Sequence, residues 1–210
     1  MPRPRFFKLE PERRQRILDA AAEALVAHGY EGVSLNQIIE QAGISKGAVY
    51  YYFDDKTDLF ATVLRRATEV LLEGVEIDLD RLDRDTFWPR LEAAFAATVA
   101  NAASHPWRAG VGRLFYAPPV GAAIDEVVRR ELARAVDWLG AVVRRGRELG
   151  TVRRDLPEPL VVAMAAGAGE ASDRWLANHW NQVAPDRLDA TWSGVFSALR
   201  RLVEPPGSAE

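Results

Sequence analysis

The chain has 210 residues, of which 48% are hydrophobic and 27% charged, with a net charge of −3 and no cysteine. That balance fits a soluble globular protein, and the missing thiols exclude disulfides, thiolate metal sites, iron–sulfur clusters and a cysteine nucleophile. No uninterrupted apolar stretch reaches the roughly 20 residues of a membrane helix, so no membrane partner is expected. The length suits a small domain joined to a larger one. The basic start, Met-Pro-Arg-Pro-Arg, is not followed by the apolar segment of a secretory signal, so the expected compartment is the cytoplasm.

Apolar residues recur at three and four positions rather than alternating, which predicts an all-α fold. A first helix opens near Pro11, a residue suited to the first turn, and runs with Ile17, Ala21, Leu25 and His28 on one face until Gly29 stops it. Ser34 is an N-cap for a short second helix carrying Leu35, Ile38 and Ile39. The run Ala42-Gly43-Ile44-Ser45 breaks it. Ser45 then caps a third helix of about two turns. Asp54 or Asp55 caps a fourth, which begins at Lys56 and continues through Leu59, Val63 and Leu64.

Beyond residue 80 the helices lengthen. Asp85 or Thr86 starts one in which Pro89 falls in the tolerated first turn, and it ends near Ser104. Pro106 opens a short helix that Pro118-Pro119 closes. The longest helix follows, with Ile124, Val128, Leu132, Ala135, Leu139, Val142 and Leu149 forming a stripe up to Gly150. Asp155 and Pro157 have the order of a cap and an early-turn proline before a helix toward Trp180. Pro185 opens the last helix, with the stripe Leu188, Trp192, Val195, Leu199 and Leu202. Residues 205–210 read as a frayed tail.

Two short helices joined by a turn at Gly43 match a helix-turn-helix, whose second helix enters the DNA major groove. Gly43 fits a turn that needs a positive φ. Ser45, Lys46, Gly47 and Ala48 lead into the groove, where short side chains let the backbone approach base edges. Tyr50, Tyr51 and Tyr52 cannot all be buried on one helix face; at least one projects outward, where a phenol can hydrogen-bond a phosphate. Arg3, Arg5, Lys8, Arg13, Arg14 and Arg16 supply a local basic patch, the alternative being a solvated flexible arm.

The segment Gly29-Tyr30-Glu31-Gly32-Val33-Ser34, then Ile38, then Ala42 to Phe53, then Lys56 and Leu59 closely resembles the TetR family signature. The resemblance spans about residues 10 to 60. It implies a homodimer on a palindromic double-stranded DNA operator, with Ser34, Tyr50 and Lys56 where phosphates are held and Lys46 and Ala48 facing bases or nearby backbone. At Lys56, a helix start, the ammonium and local amides can converge on one phosphate oxygen. Ala48 stands where threonine is frequent, and Ile39, where alanine is usual, must widen the packing or be absorbed by Ala42.

The expected architecture is therefore an N-terminal three-helix head over residues 1–56 and a larger helical domain over 57–204 for effector binding and dimerisation. Family members of this build have an effector pocket in the second region. Phe87, Trp88, Phe95, Trp107, Phe115, Tyr116, Trp138 and Trp175 offer apolar surface for one, with Asn101, His105, Arg113 and Asn178 as polar anchors. Each aromatic taken singly is a core candidate. A mostly apolar wall suits a small hydrophobic effector, because it cannot offset the desolvation of a highly charged one. Dimerisation is assigned by resemblance to the last two helices: Ala168 and Ser172 permit close approach, Val195 and Leu199 supply apolar surface, and Trp175 and Trp192 are anchors.

An enzyme is the rival class. Gly167-Ala-Gly169 and Gly110-Val-Gly112 lack the strand and further glycine of a nucleotide-binding turn, and His28, His105 and His179 are scattered. No catalytic residue, metal or cofactor is expected. A helical ligand-binding or interaction protein without operator binding is the other alternative.

Overall fold

The computed structural model describes residues 2–45, 50–104, 107, 110, 114–115, 122–179, 182–183 and 185–207. Among these the secondary structure is helical, without strands. The main elements are α1 (Pro11–Gly32), α2 (Leu35–Ala42), α3 (Lys56–Leu71), α4 (Phe87–Ala103), α5 (Ala122–Leu149), α6 (Glu158–His179) and α7 (Pro185–Val203). Tyr50, Tyr51 and Tyr52 are helical as well. None of the described helices is long and apolar enough to cross a membrane.

The chain divides into two compact units that do not follow chain order. The first comprises Met1–Leu71 together with Ser104–Glu131, and the second Leu72–Ala103 together with Leu132–Glu210. In the first, α1 opens with Pro11 in its first turn and bends at Gly29, whose φ of 68° is left-handed. Its buried face is Ile17, Leu18, Ala21, Ala22, Ala24 and Leu25, while His28, expected on that face, is exposed. Ile38 and Ile39 of α2 and Leu59, Phe60, Val63, Leu64 and Ala67 of α3 complete one core with it. Trp107 and Ile124 join the same core. The α3 stripe thus packs within the first unit, which runs on to Leu71.

In the second unit α4 is capped earlier than expected. The Asp83 carboxylate accepts from the Thr86 amide at 2.8 Å and from its hydroxyl, and Thr86 Oγ1 accepts from the Asp83 amide at 3.1 Å. These bonds favour the ionised carboxylate and hold its pKa below the ordinary value. Asp155 does not cap α6: its carboxylate is held by Arg153 at 2.6 and 2.9 Å, and Pro157 O instead accepts from the amides of Leu160 and Val161. The core of this unit joins Phe87 and Leu91 of α4 to Val142 and Val143 of α5, Val152, Val161 of α6, and Phe196 and Val203 of α7.

Gly146 of α5 faces that core with no room for a side chain. A Cβ there would lie 2.3 Å from Val152 and 2.7 Å from the Phe87 ring, and its carbonyl accepts from both the Thr151 and Val152 amides. The loop after α5 therefore closes onto a position with no space for a side chain. Gly146→Ala is expected to destabilise the protein by about 1–3 kcal/mol through overpacking, read as a lower midpoint in thermal or denaturant unfolding. An unchanged midpoint would show that Phe87 and Val152 yield freely.

Candidate nucleic-acid interface

The first unit builds a helix-turn-helix from local rules. Ser34 closes a capping box: its hydroxyl accepts from the Gln37 amide at 3.2 Å, and the Gln37 side chain accepts from the Ser34 amide at 2.7 Å. The same helix ends on Gly43, which is left-handed with φ 62° and ψ 33°. The Ile44 amide donates back to Ile39 O at 3.1 Å and the Gly43 amide to Glu40 O at 3.2 Å, a Schellman end that turns the chain toward the reading helix. Ile39 is buried, and Ala42 is partly buried against the same core.

Of the reading helix, Lys46, Gly47 and Ala48 lie outside the described residues, while Ser45 is exposed. The tyrosine run splits as helix geometry requires. Tyr50 is 57% and Tyr51 47% exposed, but Tyr52 is 9% exposed and Phe53 is buried beside it. What holds Tyr52 and Phe53 inward is the N-terminal segment, which is not a free arm. Phe6, in a 3-10 turn Phe6–Lys8, is buried with its ring 4.9 Å from Phe53 and 6.0 Å from Tyr52. Burial of such a ring contributes about 2 kcal/mol. The Arg3 amide donates to Tyr52 O at 2.8 Å, and the Arg3 side chain pairs with Asp54 at 2.8 Å. Arg5 lies over the Tyr51 ring, 4.5 Å from its centroid.

A second cation–aromatic pair stands at the start of α3. Lys56 Nζ is 4.4 Å from the centroid of Tyr30, whose hydroxyl is 3.1 Å from Thr57 Oγ1. Asp55, one of the two expected caps, accepts from the Asp58 amide at 2.8 Å. Each such pair at an exposed site contributes about 0.5–1 kcal/mol. Phe6 carries no functional expectation from the sequence, and Arg5 and Tyr30 stand there only within the basic patch and the family signature; their packing on Tyr51 and under Lys56 comes from the structure.

The effector candidates are not gathered in one place. Phe87, Trp88 and Phe95 cluster in the second unit with Phe196, Phe87 fully buried and the other two half-buried. Trp107 and Phe115 belong to the core of the first unit. Trp138 and Trp175 stand on the surface, 48% and 51% exposed. Asn101 donates to Glu73 O and Asn178 to Arg174 O. His105, Arg113 and Tyr116 lie outside the described residues.

Of the dimer candidates, Ala168, Ser172, Val195 and Leu199 line one open groove between α6 and α7, about 480 Å³ in volume. Trp175 stacks on His179 with ring centroids 4.6 Å apart. Trp192 instead packs inward against Phe95, Val99 and Leu176, which removes it from the surface an anchor needs. The inward face of α7 is Trp192, Phe196 and Val203; the groove takes the adjacent face.

Residues 17–63 match the family model of bacterial regulatory proteins, tetR family. Over 208 residues the chain is 27% identical to an uncharacterized HTH-type transcriptional regulator of Mycobacterium tuberculosis, covering 98% of this chain and 85% of that one. It is 40% identical over 76 residues to the HTH-type transcriptional repressor AcnR of Corynebacterium diphtheriae, covering 33% of this chain and 40% of that one. The fold is that of the transcriptional regulator FadR from Bacillus subtilis, solved in complex with stearoyl-CoA: TM-score 0.74 at 20% identity, over 88% of this chain and 96% of that one.

Gly43 gives a direct test of the turn. A Cβ there would meet nothing within 4 Å, so any cost of substitution lies in the backbone angle and not in crowding. Gly43→Ala is expected to cost about 1–2 kcal/mol, and Gly43→Asn less, since asparagine tolerates the left-handed region. Chemical denaturation of the three proteins checks the order; an alanine variant as stable as the parent would mean the turn relaxes out of that region.

Proposed function

We propose, for a chain that belongs to the TetR family of bacterial regulatory proteins, that it is a ligand-responsive transcriptional repressor. In this reading two copies bind a palindromic operator and a small hydrophobic effector releases them. The observation that carries it is the Gly43 turn leading to a helix end that buries Tyr52 and presents Tyr50 and Tyr51. Phenols on that surface, with Lys56 at the start of α3, suit phosphate oxygens and fix the register of the head. Ser45, Lys46, Gly47 and Ala48 approach the bases, and Ser34, at the start of α2, a further phosphate.

The groove between α6 and α7 supports the two-copy reading. Its small side chains, Ala168, Ser172, Gly194 and Ala198, allow close approach of a second pair of helices, and a two-fold operator needs two heads. The effector reading draws on the half-buried Trp88 and Phe95 and on the acyl thioester that the FadR relative carries. An acyl chain or comparable apolar molecule fits such a lining. The expected site of action is the cytoplasm, and the expected role is regulation rather than catalysis.

Salt-sensitive, nanomolar-scale binding to a palindromic fragment from beside its own gene is expected in a gel-shift series. Absence of such a complex would overturn the operator reading. Tyr50→Phe should weaken binding roughly equally on operator and unrelated DNA, because a phosphate contact carries no base information; unchanged affinity would remove Tyr50 from the contact set. An acyl effector that raises the melting temperature should release DNA in the same concentration range. Stabilisation with no change in DNA affinity would count against induction.

A further inference from the structure

We propose that Arg5 is a further DNA-contacting residue, held over Tyr51 by the folded N-terminal segment as a ready-made phosphate contact; this rests on the operator-binding reading above. Three observations converge. The segment is already ordered, because Phe6 is buried against Tyr52 and Phe53 and the Arg3 amide is bonded to Tyr52 O. The two arginines flanking Pro4 are used differently. Arg3 is neutralised by Asp54 at 2.8 Å, whereas among the described residues no carboxylate pairs with Arg5. The Arg5 guanidinium instead lies 4.5 Å from the centre of the Tyr51 ring, and Tyr51 follows Tyr50 on the exposed part of the reading helix.

A guanidinium resting on a ring face keeps its five N–H donors, and it is weakly hydrated, so it can exchange water for a phosphate readily. A disordered basic arm loses conformational freedom when it binds; this one has been ordered by folding. Arg5 thus adds a positive charge next to the Tyr51 phenol at fixed register. The contact it makes is to backbone phosphate and positions the head without selecting sequence. Replacing the side chain removes no buried group, since Arg5 is exposed.

The test measures binding of the full-length chain to a fragment from beside its own gene and to an unrelated fragment of equal length, each across a salt series. Melting temperature is followed in parallel. For Arg5→Ala, affinity is expected to fall about tenfold on both fragments, with the slope of log affinity against log salt reduced by roughly 0.9 per head and the melting temperature lowered by no more than about 2–4 °C as the Tyr51 contact is lost. Arg5→Lys should keep the parental slope, because the charge remains, while losing part of the affinity with the planar fork. Parental affinity and slope in Arg5→Ala, on a parent that does bind in a salt-dependent way, would overturn the Arg5 role and leave the operator reading standing. A loss confined to the operator fragment would also overturn it, since that marks base readout. If the parent itself forms no salt-sensitive complex with either fragment, the operator reading fails and this inference with it.

Discussion

Burial of Tyr52 and Phe53 beneath Phe6 governs how the reading head presents itself. Successive residues of a helix are turned by about 100°, so once Tyr52 faces the core its two predecessors face away from it. Tyr50 and Tyr51 are exposed as the geometric complement of that burial. The core that holds Tyr52 is assembled from distant parts of the chain: Phe6 before α1, Leu25 within it, Ile38 of α2, and Leu59 and Phe60 of α3. The surface proposed for phosphate groups is thereby set by packing that touches no ligand, and its precision depends on how rigid that packing is.

The same dependence explains what could be read in advance. Gly43 was legible because only a left-handed residue closes such a turn without strain, and Ser34 because a capping box has a fixed three-residue spacing. The Phe6 contact was not legible. Nothing in the local pattern of residues 2–9 separates a docked segment from a solvated one, because the partner, Phe53, is 47 positions away and their pairing arises only after α1 has turned the chain back. Asp83 and Asp155 illustrate a related ambiguity. Both precede a helix by a plausible interval, but Asp83 finds Thr86 and makes a cap, whereas Asp155 finds Arg153 and makes an ion pair.

In the second half of the chain, periodicity located the helices and could not say which core each aromatic joins. Residues 104–131 return to the first unit, so Trp107 and Phe115 belong there, while Phe87, Trp88 and Phe95 belong to the second. A residue's distance along the chain carries no information about that return. On α7, the apolar stripe was visible but its split was not: Trp192, Phe196 and Val203 face inward, and Val195, Leu199 and Leu202 face the open groove. Two adjoining apolar faces on one helix have a single periodicity, and only the packing of α4 against one of them distinguishes core from contact surface.

A chain of net negative charge can still present cations at one surface if the acids nearby are already engaged. Around the start of α3 this condition is met residue by residue. Asp54 is taken by Arg3, Asp55 accepts from the Asp58 amide, and the Asp58 carboxylate lies 3.4 Å from the Asp54 amide. Carboxylates bound to the positive end of a helix have part of their field cancelled by about half an elementary charge. Lys56 and Arg5, by contrast, are held over the faces of Tyr30 and Tyr51, which attract a cation without neutralising it. At this helix start the acids are therefore absorbed into caps and an ion pair, while Lys56 and Arg5 are left on aromatic platforms. That sorting, more than the overall charge, fits this head to a polyanion.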